Sequence, residues 1–184
     1  MNDKLPNLSE ALKMEASWLA KTASLTGDHN NTLTWAKETL QSVLASFSIQ
    51  TSPHGRNRFR TTNSHATFDI YLSSSAGRDE EGKISSWNTF SEKLLSDSTI
   101  KIYILSVEDS LHIPQFFIFR DSEMRKILTT KRGTPGLDKN GVLWFYLNQD
   151  PNKPEIVKDE RQNKRSEQLL PPCYNHWEKV IDQT

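Results

Sequence analysis

The stretch from Ser52 to Leu72, SPHGRNRFRTTNSHATFDIYL, holds the side chains best suited to chemistry in this 184-residue chain. Arg56, Arg58 and Arg60 occupy alternate positions, and a strand sends alternate side chains to one face, so Phe59 points the other way. A row of guanidinium groups can grip phosphate oxygens through bidentate, charge-assisted hydrogen bonds. The same row also serves as a plain solvent face or as protection for a sheet edge. Asp69 follows within FDIYL, where Phe68, Ile70 and Leu72 share one face and Asp69 and Tyr71 the other. A carboxylate there is exposed, paired with an arginine, or a ligand for a cation. If it is buried, a cation or hydrogen bonds must neutralise it, because an unpaired buried charge is costly. His54 and His65 flank the arginine strand and are placed to join Asp69 in a metal or acid–base site.

A second basic cluster, Lys126, Lys131 and Arg132, lies further along. The candidate nucleic-acid contacts are therefore Arg56, Arg58, Arg60, Lys131 and Arg132. His112 and His176 lack partners at ligand spacing and read as structural. Cys173 follows two prolines with no cation beside it to stabilise a thiolate, so it does not read as a nucleophile. The aromatic residues at 116–119 and 144–145 sit in continuous apolar runs and read as core, not as surfaces for stacking bases.

These residues need elements to hold them. Asn7 with Glu10 marks a helix start, and the pattern carries that helix to about Thr22. Leu33, Ala36, Leu40, Val43, Leu44 and Phe47 recur at three and four residues and predict a second helix with one apolar stripe. After Pro53 and Gly55 the period becomes two, predicting the arginine strand and then FDIYL. SSWNTFSEKLL suits a short helix, and IKIYILSV, apolar on both faces, a central strand. QFFIFR repeats that pattern and leads into a helix after Asp121 with Met124, Ile127 and Leu128 inward, while GVLWFYL suits another buried strand.

The expected architecture is one α/β layered domain over 1–184, with a central mixed sheet flanked by helices. Residues 7–49 form its helical amino-terminal part and 56–147 its sheet core. Residues 148–172 form a polar, proline-punctuated arm, and 173–184 a terminal helix docking Tyr174, Trp177, Val180 and Ile181. The 23 basic and 23 acidic side chains balance, so no whole-molecule field draws in nucleic acid or anionic membrane, and any such partner meets a local patch. One cysteine excludes an internal disulfide framework and fits a reducing compartment. The polar start MNDKLPNLSE does not resemble a signal peptide, and no apolar run suits a membrane span, so a cytoplasmic location is expected.

The layout from about Leu33 to Leu128 resembles the PD-(D/E)XK restriction-endonuclease-like superfamily, whose core runs helix, three strands, helix, strand. That family carries an aspartate on the second strand and E-x-K on the third. The resemblance implies that FDIYL supplies Asp69 and that EGK supplies Glu81 and Lys83, followed by a helix near Asn88 to Leu95 and the strand IKIYILSV. A strand such as QFFIF leading into a helix such as DSEMRKIL, with a late Tyr and Trp such as Tyr174 and Trp177, is similar to prokaryotic proteins of this kind. The activity implied is Mg²⁺-dependent phosphodiester hydrolysis, with Asp69 and Glu81 holding the ion and Lys83 orienting or activating water. The expectation is thus a protein associated with DNA or RNA, either a Mg²⁺-dependent nuclease or its inactive relative. The alternative is a non-catalytic module that binds a protein partner.

Overall fold

The computed structural model describes residues 32–62, 66–76, 84–108, 113–150, 152–160 and 168–183. The helix expected up to Thr22 lies outside the described residues. Helix α1, Thr32–Ser46, buries Ala36, Leu40, Val43 and Leu44 completely, as its apolar stripe predicts. It stops where Ser48 turns left-handed at φ 60°, and the Ile49 N–H returns to the Leu44 carbonyl at 2.9 Å. That bond and the one from the Ser48 N–H to the Ala45 carbonyl at 2.9 Å satisfy carbonyls that the last turn would otherwise leave open.

Five strands then build a first sheet: β1 Gln50–Pro53, β2 Arg58–Thr62, β3 Thr67–Ala76, β5 Ile100–Glu108 and β6 Pro114–Arg120, adjacent in that order. Only β3 and β5 run parallel. A parallel pair needs a crossover, and here it is strand β4, Ile84–Ser91, with the short helix α2, Glu92–Leu95. β4 belongs to a second, antiparallel sheet with β8 Val142–Gln149, β9 Val157–Asp159 and β10 Gln168–Leu169, and β7 Asp138–Lys139 also pairs with β8.

The chain is therefore mixed α/β, but the single helix-flanked sheet expected from sequence is two sheets packed on each other. One core lies between them, where Phe90 meets Tyr71, Tyr103 and Phe145 at ring centroid distances of 6.1–6.3 Å. Burying Phe90 completely stabilises the fold by roughly 1.5–3 kcal/mol. Helix α3, Asp121–Thr129, closes the same core with Met124, Ile127 and Leu128, as expected. The other face of the first sheet carries Phe68, Ile70, Leu72, Ile102 and Ile104 against α1 and against Trp177 and Val180, which lie at and within helix α4, Glu178–Ile181.

Two expectations change for one reason, period-two alternation. ISSWNTFS is strand β4, with Ser86, Asn88 and Phe90 inward and Trp87, Thr89 and Ser91 outward, and only Glu92–Leu95 is helical. The polar arm is partly built into the second sheet, because Val157 and Asp159 alternate inward from β9 while β10 pairs beyond it. β5 is central and buried on both faces, as expected from IKIYILSV.

Candidate functional site

The hairpin between β1 and β2 sets the site. Gly55 at φ 115° adopts a backbone that side-chain-bearing residues avoid. The Asn57 amide donates to the Leu72 carbonyl at 3.0 Å, and the Leu72 N–H donates back to the Asn57 carbonyl at 2.8 Å. The turn is thereby pinned to β3, with His54 beside it. Register then places Arg60 opposite Asp69 and Arg58 opposite Tyr71, close enough for directly paired side chains to meet.

Asp69 is fully buried and well supplied with donors. Arg60 donates from Nε to Oδ1 at 2.9 Å and from an Nη to Oδ2 at 3.2 Å, and His54 Nδ1 lies 2.9 Å from Oδ2. The backbone N–H of Asp69 donates to the Thr99 carbonyl at 3.0 Å. The Thr99 hydroxyl sits between two carboxylates, 3.2 Å from Asp69 Oδ2 and 2.6 Å from Asp97 Oδ1. Burial pushes the Asp69 carboxyl up, but the hydrogen bonds and charges of Arg60 and His54 outweigh it and hold the group below its ordinary value. An ionised carboxylate only accepts, so His54 carries its proton on Nδ1 in this contact.

Asp97 extends the network. Arg58 donates to it at 2.6 Å, and the Thr99 hydroxyl, the Thr99 N–H and Arg58 together bring its carboxyl down to about 2. The result is a polar cluster at the open end of an otherwise apolar sheet face. Its three guanidinium groups, counting the exposed turn residue Arg56, exceed its two carboxylates by one positive charge before His54 is considered.

The sequence-level candidates distribute unevenly. Arg58 and Arg60 share the strand face opposite buried Phe59, as alternation predicts, but Arg56 sits in the turn ahead of the strand. Lys131 is not a surface contact: it is 4% exposed and ion-paired with buried Asp159, over the Phe145 ring. Arg132 is exposed and pairs with Glu92 at 3.1 Å. Glu81, Lys83 and His65 lie outside the described residues. The described ends flanking Glu81 and Lys83 are both remote from Asp69. Ala76 is seven residues along β3, roughly 23 Å at strand rise. β4 runs antiparallel beside β3, with Ser73 bonded to Asn88 at 2.7 Å and Tyr71 against Phe90, so Ile84 lies toward the Ala76 end.

A hard divalent ion needs carboxylate lone pairs directed at it, whereas both Asp69 oxygens already accept from Arg60 and one also faces His54. This constellation does not fit such an ion, and among the described residues no group of three or more His, Cys, Asp or Glu is arranged to hold one. What it does fit is a fixed guanidinium presented beside a half-exposed imidazole.

Two features escaped the sequence reading. Asp97 and Thr99 form an Asp-x-Thr turn, legible as a local side-chain-to-backbone motif. Trp144 is not core as expected: it points outward from β8, stacked on Trp87 at 5.3 Å and on Tyr146 at 6.2 Å. Strict alternation through VLWFYL, with Leu143, Phe145 and Leu147 inward, is the signal that separates them.

Compared with known proteins, the chain matches no family model, no curated protein and no solved structure. Among the described residues no helix is long and apolar enough to cross a membrane.

Proposed function

We propose that this protein binds nucleic acid through the phosphate backbone, using Arg56, Arg58 and Arg60, without a metal-dependent cutting centre at Asp69. The observation that carries the reading is the Arg60–Asp69 pair. A buried carboxylate takes Nε and one Nη of Arg60 and fixes the guanidinium plane, while the side chain stays 38% exposed. The remaining N–H donors are left for a phosphate, and a guanidinium already held in place loses less freedom on binding than a mobile one.

The order helix α1, strands β1 to β4, helix α2, strand β5 places four strands ahead of α2 where the family has three, with β4 in the second sheet, so only the helix, strands, helix, strand outline supports the resemblance. Asp69, however, stands on the third of those strands, where the family's aspartate stands on the second. Mg²⁺ chemistry with Asp69, Glu81 and Lys83 would first require Arg60 to leave the carboxylate. The inactive-relative branch of the resemblance is therefore the one proposed, and it uses no cofactor.

The test is a titration of labelled DNA and RNA duplexes at several salt concentrations. Affinity falls steeply with salt, and Arg60→Gln weakens binding to all sequences alike while lowering the salt slope by about one. Absence of binding at low salt defeats the proposal and favours the protein-interaction alternative.

A further inference from the structure

We infer that the outward face of the second sheet is a stacking surface for unpaired nucleobases, so that this protein takes single-stranded nucleic acid there. The inference rests on the nucleic-acid reading above for the class of ligand, but on different residues. Alternation along β4 and β8 puts Trp87, Trp144 and Tyr146 on that face, away from the core. Trp87 and Trp144 stack at 5.3 Å with 25° between their planes, and Trp144 and Tyr146 at 6.2 Å with 15°. Both contacts share Trp144, and the register puts Trp87 across from Tyr146, so the three rings form one cluster of nearly parallel planes. Trp87 is 61% exposed, and the other large exposed hydrophobic among the described residues, Leu169, lies on the same face across from Lys158.

An exposed Trp87 stacked over half-buried Trp144, itself against half-buried Tyr146, is an unusual use of apolar surface. Parallel stacking asks for another flat π-system to continue the stack, which nucleobases supply whatever their sequence. Charge on the face agrees with a phosphate-linked strand. Lys139 stands across from Val142 at one end of the outward row of β8, and Lys158 across from Asn148 at the other, so the stacked rings lie between two cations. Glu160, whose N–H donates to the Tyr146 carbonyl at 2.8 Å, is the acid beside them. A paired duplex cannot offer a free base face to Trp87, so the geometry selects single strands over duplex.

The experiment follows tryptophan emission while the full chain is titrated with a short unstructured oligothymidylate, a matching oligouridylate, and a duplex of the same length. Single strands should quench the emission. By an independent anisotropy readout, Trp87→Ala should weaken their binding about thirtyfold, the middle of the range for losing one base–aromatic contact. Trp87→Phe, which keeps a ring, should restore most of the loss and guards against misfolding of the alanine variant. Wild-type affinity of Trp87→Ala for single strands, or equal quenching by duplex, overturns the inference. If duplex binding survives with its dependence on Arg60 intact in those cases, the phosphate-binding proposal stands without it. Absence of binding by any of the three probes sinks both.

Discussion

Asp69 shows how a residue type that suggests metal chemistry can serve another purpose. Its side chain is fully buried, and its charge is met by Arg60, with His54 and Thr99 adding hydrogen bonds. Asp69→Asn should therefore lower unfolding stability by about 1.5–3 kcal/mol, the scale of hydrogen bonds to a charged group, measured by urea denaturation. A carboxylate kept for an ion and repelled by its neighbours would behave oppositely, since neutralising it would stabilise the metal-free protein. The pH dependence follows from the same pairing. Carboxyls depressed in the folded state contribute stability above their unfolded value near 3.8, and that contribution is lost as the pH falls through the lower folded value. Asp97 should titrate with a midpoint of about 2 by carboxyl NMR, and Arg58→Gln should move that midpoint upward. An Asp97 midpoint at the ordinary carboxyl value would contradict the network. Cys173 stays out of this chemistry, its thiol pushed up to about 12 by burial.

Among the elements, the link between α3 and the second sheet depends on one buried ion pair. Lys131, just beyond α3, meets Asp159 of β9, whose carboxyl is pushed up by burial against the opposing pull of Lys131 and of the Tyr146 N–H at 2.9 Å. Removing one partner leaves the other charged and dry, so Lys131→Met should cost about 3–5 kcal/mol of stability. Replacing both, with Asp159→Leu, should recover much of that loss in the same denaturation experiment. A cost below about 1 kcal/mol for Lys131→Met would mean the pair is wet. Elements with a single strong period were legible in the sequence: α1 from its apolar stripe, β5 from apolar residues on both faces, α3 from Met124, Ile127 and Leu128. What could not be read was which strands share a sheet. Helix and strand both bury Phe90 and Leu95, and only the crossover from β3 to β5 shows β4 leaving for a second sheet. Lys131 looked like a surface cation for the same reason, because its partner lies 28 positions away in a segment whose composition reads as a solvated arm. The arginine face was visible from alternation, but pairing with Asp69 and Asp97 depends on strand register and on a loop that sequence spacing does not join to it.

On the scale of the whole molecule, the recognition chemistry proposed for this chain of zero formal charge lies in two places. One is the cationic hairpin at the open end of the first sheet, and the other is the aromatic cluster on the outer face of the second. With no net charge to draw a ligand from a distance, binding at either place would depend on contact more than on field. In the reading proposed above, Arg60, held by Asp69, meets phosphate without a metal. The most direct test is the affinity of the full chain for a labelled oligonucleotide, measured in Mg²⁺ and again in excess chelator, with the integrity of the oligonucleotide followed in both. Binding should persist in chelator, weaken with Arg60→Gln, and leave the oligonucleotide intact in Mg²⁺. Binding that disappears in chelator, or cleavage in Mg²⁺ that Asp69→Ala abolishes, would contradict it.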